Sequence, residues 1–171
     1  PISAITHGML ADALLVLGRP DEAADHYGRA LALDPKLPGA RNNFGVAWLR
    51  LHRPPEAITQ FTIAVRDEPG DIAARQNLAQ ALVDAGRMAE ARSVYEEALK
   101  FDPTHLDIRI SFANFLVATG TPEAALGHFR EVLRLRPNHA SALFQLGFLF
   151  ARLGRFAEAA PCFEQGLRVQ P

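Results

Sequence analysis

Proline recurs in this chain at a fixed step. Pro35, Pro69, Pro103, Pro137 and Pro171 each stand 34 residues from the next. A unit of that length cannot bury an apolar face on its own, so repeated units must stack on one another to make a continuous core. With these prolines at position 32, the units are residues 4–37, 38–71, 72–105, 106–139 and 140–171, and no insertion is needed.

The columns of this alignment have a helical spacing. Position 8 is always small: Ala11, Gly45, Ala79, Ala113 and Gly147. Position 24 is always aromatic: Tyr27, Phe61, Tyr95, Phe129 and Phe163. Positions 7, 8 and 11 share one helical face, and 20, 24, 27 and 28 share another. A small residue facing an aromatic one lets two helices approach closely. Position 15 is Gly18, Gly86, Gly120 and Gly154, with His52 as the exception. Glycine there suits a left-handed helix end. Pro20, Pro54 and Pro122 follow at position 17, where a first helical turn tolerates proline. Each unit is therefore predicted to be helix A, a tight turn, helix B, and a proline-marked stop. Pro161, inside the fifth helix B, predicts a late start or a kink.

These columns resemble the tetratricopeptide repeat over nearly the whole chain. The resemblance implies an all-α fold, a right-handed α-solenoid of five antiparallel helix pairs. It also implies a protein-interaction scaffold rather than an enzyme. Position 4, often tryptophan in that family, is His7, Arg41, Arg75, Arg109 and Leu143 here. Position 27 changes from Ala30, Ala64 and Ala98 to Val132 and Gly166, which predicts different packing in the last two helix pairs.

Composition narrows the partners. The formal net charge is −1, with 49 % hydrophobic and 22 % charged residues. Such a chain can bury a core but carries no field that would draw in nucleic acid or an anionic membrane. Its most apolar stretch, 142–151, is far below the roughly 18 residues of a membrane span. The single cysteine, Cys162, excludes an internal disulfide and reads as a half-buried thiol. The opening Pro1 reads as a processed product or an excerpt of a longer chain. The six histidines are spread over the units without metal-binding spacing and read as surface or groove residues. No catalytic set, metal or cofactor is expected. Arg19, Arg53, Arg87 and Arg155 at position 16 are expected to face Glu22, Glu56, Glu90 and Glu158 at position 19 as a charged outer edge. Arg41, Arg75 and Arg109 are assigned to the same edge.

In the tetratricopeptide family, helix A lines a concave groove, and its positions carry over column by column. Asn42, Asn43, Gln76, Asn77, Gln80 and Asn114 then form an amide cluster. An amide offers a donor and an acceptor, which suits a peptide backbone of any sequence. Asn43 and Asn77 look like the asparagine ladder of the superhelix attached to O-GlcNAc transferase. Replacing both is expected to leave melting nearly unchanged. Ser111 and Gln145 stand in the column of Asn43 and Asn77 as approximate further rungs, and Ile110, Val117, Phe144 and Phe148 give the C-terminal half of the groove an apolar floor. The expected partner is an extended peptide or a protein. The alternatives are a homo-oligomer, assembled through the groove and the exposed fifth unit, and a regulatory segment of a larger transferase.

Overall fold

The computed structural model describes residues 3–169, so Pro171, the fifth proline stop, lies outside the described residues. Those residues form ten α-helices: α1 (Ala4–Val16), α2 (Pro20–Leu33), α3 (Ala40–Arg50), α4 (Pro54–Asp67), α5 (Ile72–Asp84), α6 (Met88–Phe101), α7 (Leu106–Ala118), α8 (Pro122–Leu135), α9 (Ala140–Arg152) and α10 (Phe156–Val169). They fall into two compact units that divide within α6, between Glu96 and Glu97. In the first unit α1 packs on α2, α2 on α3, α3 on α4 and α4 on α5. In the second, α7 packs on α8, α8 on α9 and α9 on α10.

The ends of the helices follow from local chemistry. Pro20, Pro54 and Pro122 open α2, α4 and α8, where their missing N–H costs nothing. Acidic residues in the first turn, such as Glu22, Glu56 and Glu123, favour the positive end of the helix dipole. Four of the A helices, α1, α5, α7 and α9, use side-chain caps. Ser3 accepts from the Thr6 N–H at 3.2 Å and Asp71 from the Ala74 N–H at 2.9 Å. His105 and His139 do the same through Nδ1, accepting from Ile108 and Ala142. Two of the histidines read as scattered are therefore helix caps. Helix α3 starts two positions later than the other A helices. Pro38 and the left-handed Gly39, at φ 70°, precede it. Pro161 lies inside α10, yet that helix begins in the same register as the other B helices, so the late start is not seen.

Each A–B turn passes through a left-handed residue. Gly18, Gly86, Gly120 and Gly154 have φ between 71° and 81°. His52, the exception in the sequence column, adopts φ 56° and is exposed. A side chain there pays a steric penalty that glycine avoids, partly offset by glycine's larger unfolded-state entropy. His52→Gly is expected to raise stability by about 0.5–1 kcal/mol, read as a higher urea midpoint. An unchanged or lower midpoint would show that the turn is not strained.

The aromatic column is the centre of the packing. Tyr27 and Phe61 in the first unit, and Phe129 in the second, are at most 1 % exposed. Phe61 lies against Gly45: a Cβ on that glycine would stand 2.5 Å from Phe61 Cε1. Phe163 lies against Gly147 in the same way, at 2.8 Å. In the last helix pair Phe144 also fills the space over Gly166, with Cε1 2.9 Å from where a Cβ would be. The predicted change of packing at position 27 takes this form.

The position-4 arginines are not an outer charged edge. Arg41 Nη2 donates to the Pro35 carbonyl at 3.2 Å, and Arg75 Nε and Nη2 donate to the Pro69 carbonyl at 3.0 and 2.9 Å. Arg109 donates to the Pro103 carbonyl. Each arginine reaches back six residues and ties helix A to the turn before it. At the last turn, where Leu143 stands in this column, Gln165 of α10 donates to the Pro137 carbonyl instead, at 3.0 Å.

Candidate functional site

Position 16 behaves as the sequence suggested. Arg19, Arg53, Arg87 and Arg155 pair with Glu22, Glu56, Glu90 and Glu158 one helical turn on. Each pair is solvated and contributes little to stability. The arginines Arg19, Arg87 and Arg155 are raised above their ordinary pKa, chiefly by these hydrogen bonds. Arg53 and Arg155 also lie 4.8 Å from the ring centres of Trp48 and Phe150, so this stripe is already engaged.

His7 corrects the reading of the histidines as surface or groove residues. It is only 8 % exposed, and its Nδ1 is 2.8 Å from Nδ1 of His26. Position 4 of helix A faces position 23 of helix B, a relation invisible in linear spacing. Among the described residues no group of three His, Cys, Asp or Glu side chains could hold a metal ion. Burial, then Glu158, pushes the Cys162 thiol up, away from the reactive thiolate.

The amides of the first unit form a connected chain. Asn77 Nδ2 of α5 donates to Asn42 Oδ1 of α3 at 2.9 Å. Asn42 Nδ2 donates to Asn43 Oδ1 at 3.3 Å, and Asn43 Nδ2 to Asp12 Oδ1 of α1 at 2.9 Å. The Tyr27 hydroxyl donates to the same Asp12 oxygen at 2.5 Å. Burial, then this hydrogen bond, pushes the Tyr27 phenol up. Asn43 and Asn77 are thus linked through Asn42, which stands between them. Gln80 turns to Asp84 on its own helix at 2.8 Å, and Gln76 is half-buried on α5. Asp12 was not among the predicted residues. Its place at position 9, the column of Gln80 and Asn114, was the available signal.

The remaining predicted residues belong to the second unit. Asn114, Gln145 and Phe148 line a shallow pocket of about 160 Å³ with Val117, Phe129, Leu149 and Arg152. Phe148 is 62 % exposed and meets Phe163 edge-on at 5.1 Å. Gln145 Nε2 donates to Ser141 Oγ at 3.1 Å, while its buried Oε1 has no hydrogen-bond partner. Ile110 is half-buried on α7 and Phe144 is taken up against Gly166, so neither lines this pocket.

A family model described as the tetratricopeptide repeat matches residues 8–60, 49–105 and 111–171. The chain belongs to the tetratricopeptide repeat family. Tetratricopeptide proteins are in general protein-interaction scaffolds. Solved structures with this fold include a MamA protein, 18 % identical over 94 % of each chain with TM-score 0.81. Another is MamA 41-end from Desulfovibrio magneticus RS-1, 18 % identical over 98 % of this chain and 94 % of that one, with TM-score 0.82. YrrB, described as a tetratricopeptide protein with an unusual peptide-binding site, is 23 % identical over 99 % of this chain and 87 % of its own, with TM-score 0.73. At these identities the likeness is one of fold alone. No curated protein matches the chain. Among the described residues of this tetratricopeptide array, no helix is long and apolar enough to cross a membrane.

Proposed function

We propose that this tetratricopeptide array binds an extended peptide segment of a partner protein along its A helices. The observation that carries the reading is the amide chain Asn77–Asn42–Asn43, which runs from α5 to α3 and ends on Asp12 of α1. An amide NH₂ has two donors and a carbonyl two lone pairs, so each amide retains hydrogen-bonding capacity after these contacts. The chain also fixes the amide orientations, so little rotamer entropy is lost on binding. The pocket at Phe148 in the second unit is a further patch suited to an apolar side chain.

The same hydrogen bonds tie α1, α3 and α5 together, so the amides are structural as well. The expectation that their removal leaves melting unchanged is revised accordingly. Asn42→Ala with Asn77→Ala is expected to lower stability by about 0.5–1.5 kcal/mol per hydrogen bond lost, and to weaken a bound peptide by a similar amount. The test selects displayed random dodecapeptides on the intact wild-type protein and titrates them against the folded double variant. Unchanged affinity, or the recovery of no peptide, would refute the reading.

A further inference from the structure

The first unit holds a second pocket, of about 180 Å³, where α1, α2 and α3 meet. Ile5 and Met9 of α1 and Leu37 and Pro38 of the following turn give it aliphatic walls. Ile5 is 63 % and Met9 67 % exposed, so these walls are open to a ligand. Its polar side is Asp12, whose Oδ1 takes hydrogen bonds from Tyr27 and Asn43. Both bonds fall on one oxygen, and among the described residues none falls on Oδ2. Among the described residues Asp12 makes no ion pair. Arg50 of α3, which acts electrostatically on Tyr27, turns its guanidinium to the Leu15 carbonyl instead.

We infer that this pocket selects a lysine or arginine side chain of the bound peptide. The alkyl stem of such a residue covers Ile5, Met9 and Leu37, and its cation meets Asp12 Oδ2. A long basic side chain is suited to this arrangement because its stem is apolar and its head is charged. The carboxylate is held in place by two donors before the ligand arrives, so the contact is preorganised. A purely apolar side chain would fill the walls but leave an ionised carboxylate beside it, poorly solvated. An acidic one would be repelled. The inference rests on the peptide-binding reading and adds to it a preference for charge.

The test uses the intact protein and a fluorescein-labelled, acetylated octapeptide of alternating alanine and lysine, with a second peptide in which norleucine replaces lysine. Norleucine keeps the alkyl stem and removes the cation. Asp12→Asn keeps an acceptor for Tyr27 and Asn43 and removes the charge; its melting is expected to fall only slightly, as two hydrogen bonds lose their charge assistance, and binding is compared below the onset of its unfolding. Asp21→Asn, on α2 and outside the pocket, controls for bulk charge. The lysine peptide is expected to bind wild type and Asp21→Asn equally, and to lose about tenfold in affinity with Asp12→Asn, the low end for a charge-assisted contact at a solvated site. The norleucine peptide should bind wild type more weakly than the lysine peptide does, and should bind Asp12→Asn no more weakly than wild type. If the two peptides bind wild type equally, or Asp12→Asn binds the lysine peptide as wild type does, the charge preference is wrong. Peptide binding itself then stands wherever Asn42→Ala with Asn77→Ala still weakens it. If neither peptide binds, the charge preference falls, while the peptide-binding reading stands or falls with the selected dodecapeptides.

Discussion

Truncating Phe61 to alanine is expected to lower stability by about 3–5 kcal/mol, as for other fully buried phenylalanines. The ring is 0 % exposed and stands directly on Gly45, so its removal leaves a void bounded by helix backbone that cannot collapse without moving α3 against α4. Phe129→Ala in the second unit should behave alike, since that ring is 1 % exposed. Phe163→Ala should cost distinctly less, because Phe163 is only half-buried. Urea denaturation of the three variants reads this order. A loss below about 1 kcal/mol at Phe61 would mean the ring does not fill the core.

The converse substitution enlarges the other side of the same contact. Gly45→Ala places a methyl 2.5–2.8 Å from three atoms of the Phe61 ring. Alanine gains about 1 kcal/mol over glycine in a helix interior, but overpacking of a closed core costs about 1–3 kcal/mol and often more at such distances. The buried ring has nowhere to go, so overpacking wins and Gly45→Ala is destabilising. Gly147→Ala meets Phe163 at 2.8–3.0 Å. Phe163 is half-buried and has room to turn aside, so the helix gain offsets most of the loss there. Equal effects at the two glycines would contradict this account.

Much of this architecture is legible in the sequence because it depends on backbone constraints. A glycine that must be left-handed and a proline that must open a helix recur at a fixed step, and so do the residues that face each other. Even His52, the one break in the glycine column, obeys the backbone rule rather than its own preference. The polar contacts were less legible. Arg41, Arg75 and Arg109 form a charged stripe on paper, yet each engages a proline carbonyl in the preceding turn. His7 and His26 meet across a helix pair at positions 19 residues apart. Asn43 and Asn77 share a column but are joined through Asn42, in the neighbouring one. Column spacing gives the face on which a side chain lies; it does not give the partner that its last one or two rotatable bonds select.

The arginine-to-carbonyl contacts also bear on the order in which the chain assembles. Arg41, Arg75 and Arg109 each close a loop of six residues, a nearly local event. Gln165 makes the corresponding contact to Pro137 from 28 residues away, and only after α10 has folded back along α9. The difference in loop length alone costs about 1.4 kcal/mol of closure entropy. The first three turns can therefore lock as their own A helices form. The turn between α8 and α9 keeps its local ties, such as the His139 cap, but gains a side-chain partner for the Pro137 carbonyl only when the last helix is in place.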